Sequence, residues 1–219
     1  MLSLDAMSDI LISSLSPHYS VVLDKAQELA ASRMEVLQDL ADYIRAMNAD
    51  HLAAKLVFIC THNSRRSHLS QIWAQVAAAY FEVPDVRTFS GGTEATAFDH
   101  RAVAALERVG FHIERSEGSN PRYLVHFSDQ HEPMIAWSKH FGDDANPSQD
   151  FAAIMTCSHA EEACPFVPGA SRRFSINYDD PKLSDGTPHE RETYDERSLE
   201  IAAEMAYVMK MAAGTSSLA

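Results

Sequence analysis

A thiol, a guanidinium and a hydroxyl are grouped in the stretch Lys55–Ser67, Lys-Leu-Val-Phe-Ile-Cys-Thr-His-Asn-Ser-Arg-Arg-Ser. An apolar run ends in Cys60. Arg66 follows six residues later, with Ser67 directly after it at the start of a helix-like segment. A strand, a turn and a helix in this order bring backbone N–H groups, the positive end of the helix dipole and a guanidinium to one spot, which suits a tetrahedral oxyanion. The same surroundings favour a reactive thiolate at Cys60. The hydroxyl of Ser67 can donate to that sulfur. Arg66 can hold two oxygens with its planar fork, which a lysine cannot do. Between them lie Thr61, His62, Asn63, Ser64 and Arg65, mostly polar residues suited to a loop whose amides face inward, and Asn63 is a type that tolerates the left-handed backbone. A single cysteine is usually a small buried hydrophobe; the whole pattern points instead to nucleophilic chemistry on a phosphate-like oxyanion.

The segment Cys60-Thr61-His62-Asn63-Ser64-Arg65-Arg66-Ser67 resembles the anion loop of low-molecular-weight protein tyrosine phosphatases and of their relatives, the thioredoxin-coupled arsenate reductases. It differs in carrying His62 where a glycine is common. Arg65 replaces a second cysteine found in many members, which removes a backup thiol and adds positive charge near the anion. The resemblance implies an acid directly before a proline, which in Asp179-Asp180-Pro181 is Asp180, with Asp179 as the alternative. Taken alone, an Asp-Pro pair is an ordinary turn. Phosphatases of this kind usually show a tyrosine pair just beyond; here Lys182-Leu183-Ser184-Asp185 has no aromatic residue, which argues against a phosphotyrosine pocket.

Cys157 and Cys164, seven residues apart and followed by Pro165, resemble the redox segment of the arsenate reductases. Two buried structural cysteines are the alternative; a zinc site is disfavoured because neither the spacing nor a fourth ligand fits. What the resemblance implies is a relay: Cys60 attacks arsenate held by the loop and Arg66, Asp180 protonates the departing hydroxide, Cys157 attacks Cys60 to release arsenite, and Cys164 attacks Cys157. Thioredoxin would be the external reductant, with no tightly bound cofactor and no metal. The rivals are phosphomonoester hydrolysis through a cysteinyl-phosphate, and a non-catalytic anion- or redox-sensing binding module.

The elements that must position these groups follow from pattern. Lys55–Cys60 reads as a buried strand, followed by a helix over 67–81, a strand over Val86–Ser90 ending in a Ser90-Gly91-Gly92-Thr93 turn, and a helix over Asp99–Val109 stopped by Gly110. This β-α-β-α order predicts an α/β fold, a small parallel sheet flanked by helices. Tyr123–Phe127 and Pro133–Ser138 read as a hairpin, Phe151–Thr156 and Arg172–Ile176 as two more strands, and 188–213 as a closing helix. Cys60, Cys157 and Asp180 would then lie at the C-terminal edge of the sheet, where ligands bind in open α/β folds.

The resemblance covers about Lys55 to Met211, with an insertion around 127–148. Residues 1–52 read as a helical N-terminal extension ahead of a catalytic domain at 53–219. Apolar spacings of three and four run from Val22 to Ile44, a shorter helix is expected over Leu4–Leu15, and the helices pack on the main domain or on a second copy as a homodimer. The eleven histidines show no metal-ligand spacing on a helix, and Asp185 and Glu190 read as a solvated face. With 31 acidic against 18 basic residues the net charge is −13, which disfavours nucleic acid and anionic membranes as partners. No membrane span or signal peptide is legible, and three cysteines make no disulfide framework. A reducing cytoplasm is the expected compartment.

Overall fold

The chain is built around four parallel strands whose two central members are apolar on both faces. A computed structural model describes residues 10–214. Strand β1 (Ala54–Cys60) and strand β6 (Phe151–Met155) are buried along almost their whole length, the pattern of parallel strands covered by helices on both sides. Strand β2 (Val86–Gly92) and strand β7 (Ala170–Ser175) form the edges, giving the order β2-β1-β6-β7. Edge strand β7 carries Arg172 and Arg173 in its middle, and charged side chains discourage further strand pairing. From β1 the chain steps outward to β2 and later returns to β6 on the other side of β1. That reversal opens a crevice at the strand ends.

Helix α1 (Ser16–Gln27), helix α2 (Ala31–Ala49), helix α3 (Arg66–Tyr80), helix α4 (His100–Arg108), the short α5 (Ser158–Ala163) and helix α6 (Glu190–Ala212) surround this sheet. A second, antiparallel sheet of β3 (His112–Arg115), β4 (Tyr123–His126) and β5 (Met134–Ala136) lies beside it. The hairpin expected over 123–138 is present as β4 and β5. Strand β3 was not expected: its pattern, with only Ile113 partly buried between polar neighbours, is too short to read. Gly110 adopts φ 112° just past α4, and a Cβ there would lie 2.1 Å from the Ser14 carbonyl oxygen, so glycine is required for the N-terminal segment to cross. Half of the helix expected over Leu4–Leu15 lies outside the described residues; residues 10–15 are turn and bend rather than helix.

The N-terminal helices turn their apolar stripes inward. Leu37, Leu40, Ala41 and Ile44 of α2 and Tyr19, Val22 and Ala26 of α1 are buried in the same cluster as Leu56 and Phe58 of β1 and Met205 of α6. Tyr19 packs on Tyr80 and Trp73 of α3, with ring centroids 4.4 and 6.5 Å apart. The Trp73 indole donates to Ser198 of α6 at 2.9 Å. Among the described residues no helix is long and apolar enough to cross a membrane.

Two contacts fix the strand ends. Arg33 of α2 binds Glu204 of α6 with two hydrogen bonds of 2.6 and 2.8 Å and donates a third to the Asn177 carbonyl. Glu204 is 2% exposed and also accepts from the Tyr178 hydroxyl at 2.7 Å. At the end of β2, a Cβ on Gly92 would stand 2.2 Å from the Glu94 carbonyl oxygen, 2.6 Å from the Asn63 nitrogen and 2.7 Å from the Thr61 carbonyl oxygen. Only glycine lets β2 run this close to the 60–67 loop.

Arg33→Ala should lower the unfolding free energy by about 3 kcal/mol, the low end for breaking a buried pair since Arg33 is partly exposed; urea denaturation measures it. Gly92→Ala should cost roughly 1–3 kcal/mol by overpacking against backbone. A Gly92→Ala protein as stable as wild type would mean that the strand end yields without cost.

Candidate active site

Cys60 is the last residue of β1 and Arg66 the first of α3, so the loop between them sits at the crevice and its helix points its N-terminus back at the sulfur. Cys60 Sγ lies 3.1 Å from Ser67 Oγ, which in turn accepts from Asn63 Nδ2 at 2.8 Å. With that acceptor site filled, the Ser67 proton is available to the sulfur. Asn63 has φ 43°, in the left-handed region, and its other amide atom accepts from the Lys139 backbone N–H at 2.9 Å.

The loop's carbonyls are tied outward. Cys60 O accepts from Thr93 N, Thr61 O from Glu94 N, and Ser64 O from Asp99 N. His62 O accepts from the hydroxyls of Thr96 and Ser138 at 3.1 and 3.0 Å. No hydrogen bond among the described residues uses the backbone N–H of Thr61, His62, Asn63, Ser64 or Arg65. Successive amides with their carbonyls turned away are the arrangement of an anion nest.

Arg66 is largely buried. One terminal nitrogen donates to the Tyr178 carbonyl at 3.0 Å and the other to Asp180 Oδ2 at 2.7 Å. Its Nε is buried and makes no hydrogen bond within the protein. Asp180 caps the 3-10 turn Pro181–Ser184, accepting from Lys182 N at 3.1 Å, and is therefore held at the rim of the loop. The thiol, guanidinium and carboxylate singled out in the sequence thus lie at the same edge of the sheet.

Arg65 has a different setting. Its guanidinium donates to the Tyr194 hydroxyl at 2.7 Å and to Asp99 at 2.6 Å, with Asp185 at 3.4 Å. Two carboxylates balance its charge, so it adds less positive field to the loop than its position in the sequence suggests. Asp185 and Glu190 are correspondingly not an isolated solvated face. Tyr194 donates to Asp185 at 2.9 Å, and Arg101 binds Glu190 at 2.8 Å. Burial pushes the Tyr194 hydroxyl well above its ordinary pKa, which keeps it a neutral donor and acceptor in this network. His62 is half-buried, its ring 3.7 Å from Glu94.

Cys157 lies two residues beyond β6, beside the end of β1, and is 2% exposed. It shares a small buried cluster with Cys60, and Cys164 packs against that cluster. Thr61 Oγ1 stands between, 3.6 Å from Cys157 Sγ and 3.3 Å from His159 Nδ1. Cys157 is the N-cap of α5, accepting from Ala160 N at 3.4 Å, and Cys164 is its C-cap. All three cysteines are reduced.

Further groups hold this site from behind. His68 is fully buried, stacked 4.1 Å from Phe98 and 3.2 Å from Ser90 Oγ; burial and the Lys139 charge hold its pKa well below the usual histidine value. Tyr178, Asp99, Ser138 and Lys139 carry no motif. Asp99, an Asp before a helix, could have been read as an N-cap, and it does accept from Arg101 N. Lys139 is 5% exposed, its ammonium 4.3 Å from the Trp137 ring centroid.

Burial pulls the Lys139 pKa down to about 8. Between that value and the ordinary lysine value the unfolded chain binds more protons, so stability should rise with pH through this window. Urea titrations at pH 8 and pH 10 should show wild type gaining about 1–2 kcal/mol relative to Lys139→Met. A pH-independent difference would show that the ammonium is hydrated.

No family model matches the chain. It is similar to curated proteins named arsenate reductase. That of Brevibacillus brevis is 30% identical over 129 residues, covering 58% of this chain and 75% of the relative. That of Bacillus subtilis is 26% identical over 142 residues, covering 65% of this chain and 84% of the relative. Among solved structures, a low-molecular-weight protein tyrosine phosphatase from T. tengcongensis aligns with 72% of this chain and 99% of its own length, at a TM-score of 0.48 and 17% identity. With a 30% identical relative matched over three quarters of its length, the chain belongs to the arsenate reductase family.

Proposed function

We propose that this chain reduces arsenate to arsenite, with Cys60 as nucleophile, Arg66 and the loop amides of Thr61–Ser67 as oxyanion site, Asp180 as acid, and Cys157 and Cys164 as resolving thiols. The Cys60 thiolate forms a bond to As(V) while Asp180 protonates the departing hydroxide, which leaves as water. The Cys157 thiolate then attacks Cys60 Sγ. The sulfur–arsenic bond breaks toward arsenic, which takes up two electrons and leaves as arsenite, and a Cys60–Cys157 disulfide remains. Cys164 attacks Cys157, restoring the Cys60 thiolate and leaving Cys157–Cys164 for an external dithiol such as thioredoxin. A reducing cytoplasm supplies that dithiol.

The observation that carries this reading over simple phosphate-ester hydrolysis is Cys157, buried in one cluster with Cys60 and bonded through Thr61 to the same loop. Hydrolysis has no use for a thiol there. The relay also sets a mechanical requirement. A helix rises about 1.5 Å per residue, which separates the two caps of α5 by roughly 10 Å, beyond the ~7 Å that a disulfide spans between Cα atoms. Helix α5 must therefore unwind for Cys164 to reach Cys157, and six residues make a helix with little stability of its own.

Arsenate-dependent NADPH oxidation with thioredoxin and its reductase, measured beside aryl phosphate hydrolysis, tests the proposal. Wild type should respond to arsenate. Cys60→Ser and Cys157→Ser should each lose at least about 10³-fold in reductase activity, Asp180→Asn about 10²–10⁴-fold, and Arg66→Lys about 10²-fold. Aryl phosphate turnover without an arsenate response would overturn the proposal in favour of a phosphatase. Silence in both assays would favour an anion- or redox-sensing binding module.

A further inference from the structure

The small antiparallel sheet gathers three ligand-bearing side chains outside the Cys60 loop. His112 of β3 and His126 of β4 are direct cross-strand partners. Glu114, two residues along β3, projects from the same face because strand side chains alternate. Glu114 Oε1 lies 3.6 Å from His112 Nε2 and 3.2 Å from His126 Nε2, and donor atoms of all three lie within 4.8 Å of one another. His126 Nε2 is buried and makes no hydrogen bond although the carboxylate is so near. The nitrogen and the oxygen are close but not aligned on each other.

Ligand atoms about 2.0–2.2 Å from a tetrahedral ion sit roughly 3.3 Å from each other. The two Glu114–imidazole separations already match that spacing. Closing the remaining gap needs only a small turn of His112, which is solvent-exposed. Two imidazoles with one carboxylate suit zinc and its neighbours, whereas Ca²⁺ and Mg²⁺ prefer oxygen alone.

We propose that His112, Glu114 and His126 form a binding site for a divalent transition ion of the zinc class, with solvent completing the coordination. The ion would join β3 to β4. Strand β4 pairs with β5, and β5 leads into Ser138 and Lys139, whose Oγ and backbone N–H hold His62 O and Asn63 Oδ1. An ion there would stiffen the sheet that borders the Cys60 loop. Histidine spacing along a helix gives no sign of this site, because its ligands come together across two strands.

The test uses the full chain without an affinity tag, treated with chelator and then titrated with Zn²⁺ calorimetrically and with Co²⁺ by visible absorption. Wild type is compared with His112→Ala, Glu114→Gln and His126→Ala. Wild type should take up one more Zn²⁺ than His112→Ala, or bind it at least tenfold more tightly, and Co²⁺ should give ligand-field bands without thiolate charge transfer. Zn²⁺ should raise the melting temperature of wild type and not of His112→Ala. Because His112 is exposed, that variant keeps the test sound even where His126→Ala fails to fold. Equal uptake by wild type and His112→Ala would overturn the proposal, leaving the trio as a pair of imidazole–carboxylate contacts. So would a Co²⁺ spectrum dominated by thiolate charge transfer in all four proteins, which would assign uptake to the cysteines.

Discussion

A carboxylate with almost no solvent exposure must be neutralised where it stands, and Glu204 sets that condition for the site end of this molecule. Arg33 answers its charge and the Tyr178 hydroxyl fills a further lone pair. The guanidinium also lies 5.2 Å from the Tyr178 ring centroid. Tyr178 is thereby gripped at its ring and its hydroxyl, and its carbonyl oxygen receives Arg66. One buried charge thus orders α2, α6, the segment after β7 and the guanidinium beside Cys60. Burial and the Glu204 charge push the Tyr178 pKa well above its usual value, so the phenol stays a donor throughout the physiological range.

The loop itself follows from a second constraint, that backbone carbonyls and amides cannot both face a small space. Neighbouring segments take the carbonyls, from 93–99 on one side and Ser138 on the other. Close approach of β2 through Gly92 makes this possible. Arg65 contributes from outside, as a brace between α3, Asp99 and α6, while Arg66 alone of the two arginines turns to Asp180. Adjacent arginines have opposite duties because one lies just before α3 and the other begins it.

Much of this was legible in the sequence. The two central strands were read from apolar runs, since fully buried strands need no alternation, with two further strands placed beside them, and Gly110 was read as a helix stop. The Cys60–Ser67 segment was legible because local chemistry and local structure coincide there. What stayed hidden depends on long-range partners. Nothing local distinguishes Tyr178, Glu204 or Arg33 from ordinary helix and loop residues; their meaning comes largely from contacts over a hundred residues away. Arg65 was read as field for the anion because the two carboxylates that balance it come from the cap of α4 and the 185 turn. Strand β3 was too short and too polar to show its period, and with it went the trio at His112, Glu114 and His126.

The shared core ahead of β1 has a consequence for how the chain behaves as a unit. Tyr19 covers Trp73, and Leu37 and Ile44 lie in the cluster that also holds Phe58. Removing the first fifty residues would bare the indole, strip the helical cover and leave Glu204 without its guanidinium. The protein therefore has no natural point of trimming before β1. Unfolding of α1 and α2 and loss of the crevice at the strand ends should be a single cooperative event.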